Sequence, residues 1–228
     1  MIKTIFMDLD DTILDFQTAE AAALSRALRE AGLEPNPETV QRYHAINASQ
    51  WELLEQGVLT REQIEVRRFE LLFDELGVER SARAVCDRYE GYLAQGHWFI
   101  PGAEALLEEL APCYTLCLAS NGAPQVQYSR IESAGIAHYF KKIFISQELG
   151  ADKPSIRFFE GCFAALPDFT RETALIVGDS LTSDIQGGIR AGLHTCWFNF
   201  RNLPPRPEIR PEYTIRTLAE LPPLLARL

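Results

Sequence analysis

The chain has 228 residues, of which 46% are hydrophobic, and its formal net charge is −10. This content supports a full hydrophobic core and excludes a largely disordered chain. The acidic balance and the lack of a Lys/Arg-rich run argue against a nucleic-acid partner, because polyanion binding needs clustered cations. No stretch has the pattern of a secretory signal or the length of a membrane span. We therefore expect a cytoplasmic protein with no membrane partner.

Cysteine and histidine usage gives no sign of a metal or nucleophile site. The five cysteines are odd in number and lack zinc-like spacing, so we expect them to be reduced and structural. Cys113 and Cys117 flank a predicted strand, where buried free thiols are common. The four histidines are scattered, and packing or surface roles are expected for them.

A short strand opens the chain and stops on acids. Residues 2–7 are apolar and rich in β-favouring types, and the segment 8–12 (DLDDT) follows directly. In open α/β sheets ligands bind at the carboxyl edge of the strands. Alternation predicts Asp8 and Asp10 on one face of the backbone, close enough to share a cation. An ordinary acidic turn is the alternative interpretation.

Helical periodicity dominates the chain from there to about residue 95. Four helices are predicted, and their starts and stops carry capping signals. They are a helix at 18–31 stopped by Gly32, one starting at Asn36-Pro37-Glu38, one starting at the capping box Thr60 to Gln63 and stopped by Gly77, and one at 81–94.

From residue 101 onward short apolar strands alternate with helices, which indicates a parallel sheet. The first strand needs neighbours, so residues 1–15 and 100–228 are expected to form one sheet domain, with 16–99 as an inserted helical domain. The Pro-rich stretch 203–211 is expected to be an exposed connection. The predicted strands after the first are 114–119, 142–145, 174–177 and 195–198, with a late edge strand at 213–215.

Polar side chains follow the later strands as well. Ser120 and Asn121 come after the second strand, where a hydroxyl and backbone amides can form an anion cradle. Lys153 precedes a predicted helix, where a cation is electrostatically disfavoured, and this favours an anionic partner for it. A plain turn and a solvated charge are the respective alternatives.

The fourth strand is followed by two more acids, Asp179 and Asp184. Asp184 or Ser183 could simply cap the next helix, whereas Asp179 then has no obvious structural role. Each motif alone is weak, but four strand ends that deliver acids, a hydroxyl and a lysine to one edge of a sheet are an improbable coincidence.

These motifs, in this order, resemble those of the haloacid dehalogenase superfamily. Its pattern is Asp-x-Asp-x-Thr after the first strand, Ser or Thr after the second, a distant Lys, and Gly-Asp with a second Asp after the fourth. The match runs through segment 8–12, Ser120, Lys153 and segment 178–184. The resemblance implies an α/β fold, namely a Rossmann-like parallel sheet core with an all-helical cap inserted after the first strand, in agreement with the helical stretch 16–99.

The resemblance also implies roles for the acids. Asp8 would be the nucleophile that forms an aspartyl-phosphate, and Asp10 would protonate the leaving alcohol and then activate water. Mg²⁺ would be held by the Asp8 carboxylate, the Asp10 backbone carbonyl and Asp179.

The remaining motif residues would serve the phosphate. Ser120 and the amide of Asn121 would hold phosphoryl oxygens, and Thr12 belongs to the same substrate-binding set. Lys153 would neutralise the charges of Asp8 and the phosphate, while Asp184 would orient Lys153 or a metal-bound water.

Asp10 favours phosphate esters, because dehalogenating members of the superfamily lack an acid two residues after the nucleophile. Segments 147–154 and 178–185 resemble the pyrimidine 5′-nucleotidase branch, so a nucleoside 5′-monophosphate is the expected small phosphorylated metabolite. Alternatives are a sugar-phosphate or phosphoglycolate-type phosphatase, a phosphosugar mutase and, remotely, a non-enzymatic phosphorylation switch, although receiver-type switches are shorter and lack the insertion. A monomer or weak homodimer is expected.

Overall fold

A computed structural model describes residues 1–228. The chain divides into two compact units, one made of Met1–Asp15 with Trp98–Leu228 and the other of Phe16–His97. The first holds every strand and the second is entirely helical. The assignment of the second unit as a cap remains a prediction.

The first unit contains one sheet of six strands, all parallel, in the order β3-β2-β1-β4-β5-β6. The predicted α/β class with a parallel sheet is confirmed, and the late edge strand is present. The strands are β1 Thr4–Met7, β2 Thr115–Ser120, β3 Lys142–Ile145, β4 Ala174–Gly178, β5 His194–Phe198 and β6 Tyr213–Ile215.

Strand alternation sends side chains of β1 to two apolar layers. Ile5 and Met7 join the layer that contains Leu107, and Phe6 joins the layer that contains Phe158. Both faces of the sheet are therefore covered, as parallel sheets require. The labels α1 to α4 are kept for the helical unit. The helices of the sheet unit are α5 Ala103–Leu110, α6 Pro124–Ser133, α7 Ser146–Leu149, α8 Ile156–Ala164, α9 Gln186–Ala191 and α10 Leu221–Leu225.

Strand order places a topological switch point beside β1. The chain runs from β1 outward through β2 to β3 and then returns to β4 on the other side of β1. In doubly wound sheets the carboxyl ends at such a point form the binding crevice. The residues that follow β1 and β4 are thereby brought side by side.

The helical unit consists of α1 to α4, and its caps agree with the sequence. Asn36 accepts a hydrogen bond from the Thr39 amide, the capping box between Thr60 and Gln63 is formed, and Gly77 ends its helix with a φ of 63°. The four bounds are α1 Phe16–Glu30, α2 Pro37–Glu55, α3 Arg61–Leu76 and α4 Ala82–Leu93.

A buried polar network runs through the helical unit. The Glu20 carboxylate accepts from Asn47 Nδ2 at 2.6 Å and lies 2.7 Å from His44 Nδ1. Arg68 donates to Asn47 Oδ1 at 3.2 Å and to Glu90 Oε1 at 3.3 Å. The network therefore joins all four helices, and both of its carboxylates, Glu20 and Glu90, accept a hydrogen bond.

The cysteine prediction needs one correction. All five are free thiols and four are buried, but Cys113 is exposed. It lies in the turn before β2 rather than in the strand, so its side chain is not enclosed by the sheet. None of the helices combines the length and the apolar character that a bilayer span requires.

Candidate active site

The end of β1 presents two acids on a tight loop. The Asp8 amide donates to Val177 O at 3.0 Å and so continues the pairing with β4. The loop then turns through Asp11, whose φ of 55° lies in the left-handed region that Asp tolerates better than most residues. Its amide donates to Leu14 O at 2.7 Å. This turn lets Asp8 and Asp10 leave the strand at the sheet edge.

Lys153 connects the motifs. Its Nζ, buried and 145 positions from Asp8, donates to Asp8 Oδ1 at 2.7 Å. It also donates to Asp184 Oδ1 at 2.7 Å and to Ala119 O at 2.6 Å. All three ammonium protons are therefore used, and Lys153 holds the ends of β1, β2 and β4 together.

Electrostatics explain why this lysine stays charged. Burial lowers the pKa of Lys153, but Asp184 and Asp8 more than offset it, and the net shift is upward. Burial raises the pKa of the Asp8 carboxyl to about 8, with Lys153 opposing and Asp184 and Asp10 adding to the rise. Burial, together with the neighbouring acids, therefore opposes ionisation of Asp8 more strongly than Lys153 favours it.

Asp184 reaches the site because the chain after β4 forms one π-helical turn, Leu181–Ile185. The expectation that Asp184 or Ser183 caps the helix is wrong, since Ser180 is the cap and accepts from the Ser183 amide at 3.1 Å. Asp184 Oδ2 instead accepts from the Ser180 amide at 3.1 Å. A Cβ on Gly178 would lie 2.2 Å from that oxygen, so only glycine leaves room for the carboxylate.

Asp179 faces a cation that the sequence analysis missed. Arg201, in the loop after β5, donates to Asp179 Oδ2 at 2.5 Å and lies 3.2 Å from Asp11 Oδ2. Burial, and next the charge of Asp11, raise the pKa of Asp179 well above its usual range, with Arg201 opposing. The signal in the sequence was a basic residue shortly after a strand, the same kind of position at which Asp8 and Asp179 lie.

Three of the acids form a compact cluster. Carboxylate oxygens of Asp8, Asp179 and Asp184 lie within 4.8 Å of one another. The side chain of Asp10 is not part of this cluster. A cation shared by the Asp8 and Asp10 carboxylates stays a prediction, as does the backbone carbonyl of Asp10 as a ligand.

The Asp10 carboxylate is bonded by two residues of α6 that the sequence analysis also missed. Gln127 Nε2 donates to Asp10 Oδ2 at 2.6 Å, and Arg130 NH1 donates to Asp10 Oδ1. Both donors are buried. The sequence did offer a signal for them, namely two polar residues three apart on the apolar face of a predicted helix.

The other predicted residues lie at the end of β2 and in the first loop. Ser120 Oγ accepts from the Gly122 amide at 3.1 Å. The Asn121 side chain exchanges two hydrogen bonds of 2.9 Å with the backbone of Lys153, which fixes that residue. Thr12 is fully buried, and its hydroxyl has no hydrogen-bond partner. Substrate contact by these three residues stays a prediction.

Known proteins share this arrangement of strands and motifs. A family model described as haloacid dehalogenase-like hydrolase matches residues 5–198. HAD-hydrolase YfnB of Bacillus subtilis is 40% identical over 219 residues, which are 96% of this chain and 93% of YfnB. Its magnesium-bound crystal structure superposes with a TM-score of 0.95 at 39% identity and covers 98% of each chain.

Two relatives carry the name pyrimidine 5′-nucleotidase. PynA of Streptococcus pneumoniae is 35% identical over 220 residues, covering 96% of this chain and 93% of PynA. YjjG of Escherichia coli is 31% identical over 223 residues, covering 98% of this chain and 97% of YjjG. The similarity thus extends through both units rather than the sheet alone.

Proposed function

This chain belongs to the haloacid dehalogenase-like hydrolase family, and on that premise we propose that it is a Mg²⁺-dependent phosphomonoester hydrolase working through an aspartyl-phosphate. The observation that carries the proposal is the pairing of the Asp8 carboxylate with Lys153, beside Asp179 and with Asp10 two residues on. The loop after β1 then carries the nucleophile and a candidate acid, and Lys153 supplies the cation that pairs with the nucleophile.

The charges at this edge fit a divalent cation. The clustered ligands are hard carboxylate oxygens, which suit Mg²⁺. Five carboxylates share three cations in the ion pairs here, so full ionisation would leave two negative charges in excess, which one divalent ion would offset. The carboxylates are those of Asp8, Asp10, Asp11, Asp179 and Asp184, and the cations are Lys153, Arg130 and Arg201.

We assign the ion to Asp8, Asp179 and the Asp10 carbonyl rather than to Asp184. Both Asp184 oxygens already accept bonds from protein donors, Lys153 Nζ and the Ser180 amide. When bound, Mg²⁺ would spread positive charge over the phosphoryl oxygens. Its presence in the structure of YfnB, at 39% identity, supports the assignment.

In the first half-reaction an Asp8 oxygen attacks phosphorus in line with the ester oxygen. The P–O ester bond breaks, its electron pair stays on the leaving oxygen, and the Asp10 carboxyl donates a proton there. Lys153 holds Asp8 Oδ1 at 2.7 Å and so fixes the rotation of the nucleophile. Ser120 and the Asn121 amide hold phosphoryl oxygens.

In the second half-reaction the Asp10 carboxylate removes a proton from water, and the water oxygen bonds to phosphorus. The bond between phosphorus and Asp8 breaks and returns its electron pair to the carboxylate. Asp10 thereby regains the proton that it gave to the alcohol. Inorganic phosphate leaves, and every group is restored.

For the substrate, we propose a nucleoside 5′-monophosphate with a pyrimidine base. The names of PynA and YjjG, which match this chain along nearly its whole length, support this choice. A sugar phosphate or phosphoglycolate-type substrate, or a phosphosugar mutase reaction, are the alternatives within the same chemistry.

The test is phosphate release by purified protein with Mg²⁺, from UMP, dTMP, AMP, glucose 6-phosphate and phosphoglycolate. We expect kcat/KM for UMP and dTMP to exceed the others by about tenfold or more, a difference that a few binding contacts can supply. A preference for sugar phosphates would reject the nucleotidase proposal and leave the phosphatase proposal intact. No release from any ester would reject both.

The role of Asp10 has its own test. We expect Asp10→Asn to lower steady-state turnover of UMP by about 10²–10⁴-fold, the usual worth of a general acid–base. The control is Asp87→Asn, whose side chain is 64% exposed on α4. Retention of full turnover by Asp10→Asn would overturn the assignment.

A further inference from the structure

Two buried side chains of α6, Gln127 and Arg130, each donate to one oxygen of the Asp10 carboxylate, and each oxygen keeps a second lone pair for the reacting proton. Resting on the function proposed above, we propose that they are positioning residues: they hold the acid–base Asp10 and, through Gln127, set the Ser120 hydroxyl as a donor to the phosphate. This bonded set, Asp10, Gln127, Arg130 and Ser120, is called the α6 brace below.

The contacts of the α6 brace fit one orientation of the Gln127 amide. Arg130 has only donors, so its NH1, 2.9 Å away, must face the amide oxygen Oε1. The Asp10 carboxylate is an acceptor when ionised, so it must face Nε2 at 2.6 Å. Nε2 places its second proton on Ser120 Oγ at 2.7 Å. Both amide protons are thus used, and a flipped amide would lose its bonds to Arg130 and Asp10.

The Ser120 hydroxyl is constrained by the same set. Its Oγ accepts from Gln127 Nε2 and from the Gly122 amide at 3.1 Å. A hydroxyl oxygen has two lone pairs, so its own proton remains to be donated. A phosphoryl oxygen is an acceptor that this proton suits. A free hydroxyl can donate or accept a hydrogen bond. The α6 brace therefore leaves the Ser120 hydroxyl only its donor role toward the phosphate.

The fold makes room for Gln127. A Cβ on Gly122 would lie 2.3 Å from Gln127 Nε2, which is closer than real atoms approach. Gln127 and Arg130 lie three residues apart, on one face of α6. Arg130 has no exposed surface, whereas the Asp10 side chain keeps 26%. The guanidinium is enclosed and the carboxylate is open, as expected if Asp10 works on an incoming group.

The arrangement has a chemical consequence for the leaving group. An alkoxide needs the Asp10 proton as the P–O bond breaks, whereas p-nitrophenolate leaves as an anion without it. A misplaced Asp10 should therefore slow alkyl phosphates more than aryl phosphates. A general loss of structure should slow both alike.

The experiment measures kcat/KM for UMP and for p-nitrophenyl phosphate, since kcat/KM reports the first phosphoryl transfer and not the later hydrolysis. The variants are Gln127→Leu and Arg130→Met, with Gln125→Leu, exposed on the same helix, as the matched control. We expect the ratio of UMP to p-nitrophenyl phosphate to fall about tenfold or more in both, within the range that a general acid is worth.

Two further variants complete the design. Asp10→Asn should give the largest fall in the ratio of kcat/KM for UMP to that for p-nitrophenyl phosphate. Adding Gln127→Leu to Asp10→Asn should not lower this ratio further, because the effects of partners in one network are not additive. Arg130→Lys should restore part of the ratio. If Arg130→Met does not fold, Gln127→Leu decides the question alone.

The outcomes separate the two proposals. An unchanged ratio in Gln127→Leu, whether activity on both esters is kept or lost equally, would overturn the α6 brace as the device that positions Asp10. A wild-type protein that releases phosphate from neither ester would instead overturn the proposed function. If the wild type hydrolyses p-nitrophenyl phosphate but not UMP, glycerol 3-phosphate replaces UMP as the alkyl ester.

Discussion

The molecule holds two buried polar clusters, and they differ in charge balance. In the helical unit Arg68 pairs with Glu90 and His44 lies beside Glu20, so the two carboxylates face two basic side chains. At the sheet edge five carboxylates share three cations. A balanced network stabilises a fold, whereas an unbalanced one is poised to take up a cation or a reacting group.

The largest expected effect is on activity, at the sheet edge. Asp8→Asn should abolish UMP hydrolysis, by about 10⁴-fold or more, as loss of a nucleophile does. It should leave the urea unfolding midpoint unchanged or higher, because it removes a buried carboxyl whose ionisation is disfavoured by burial and by Asp184. An active variant would refute Asp8 as the nucleophile, and an unfolded one would show that this cluster also supports stability.

The matching change in the helical unit should act on stability. Arg68→Met leaves buried polar partners without their cation, and we expect the free energy of unfolding to fall by about 3 kcal/mol. Urea denaturation measures it. Arg67→Met, exposed on the same helix, is the control. If Arg68→Met loses activity as severely as Asp8→Asn while remaining folded, the contrast between the clusters is wrong.

Two glycines test the contrast without touching a charge. Gly178→Ala should displace Asp184, and we expect kcat to fall by about 10–100-fold, as for a misplacement near 1 Å. A methyl group added at Gly91, on α4, would meet nothing within 4 Å. Gly91→Ala should raise stability by about 0.5–1 kcal/mol at unchanged activity, because alanine favours helix. Equal activities would show that Asp184 tolerates displacement.

The smallest expected effect concerns the cation that already faces Asp179. Arg201→Gln removes a competing positive charge, so Mg²⁺ should bind about two- to fivefold tighter, the scale of a partly exposed ion pair. Calorimetric titration of the protein with Mg²⁺ and the Mg²⁺-dependent shift in Tm both report this. Arg210→Gln, exposed in the loop 199–212, is the control. Weaker Mg²⁺ binding would mean that Arg201 orients Asp179 rather than competes for it.

Local signals determined the elements of this protein. Caps such as Asn36 and Thr60, and stops such as Gly77, act over three or four residues, so the sequence alone predicts them. Alternating apolar residues likewise predict strands, and the acids at their ends follow from position along the chain. The parallel sheet and the residues Asp8 and Asp179 were predicted in this way, whereas Lys153 was singled out as a cation before a helix and by the family resemblance.

Only the tertiary structure decided which side chains form hydrogen bonds with the residues of the candidate site. Gln127 and Arg130 meet Asp10 across 117 and 120 positions, and Lys153 meets Asp184 across 31. Such contacts depend on strand order, on the π-helical turn after β4, and on the missing side chains of Gly122 and Gly178. No local pattern encodes them, because a hydrogen bond requires distance and direction, and packing sets both.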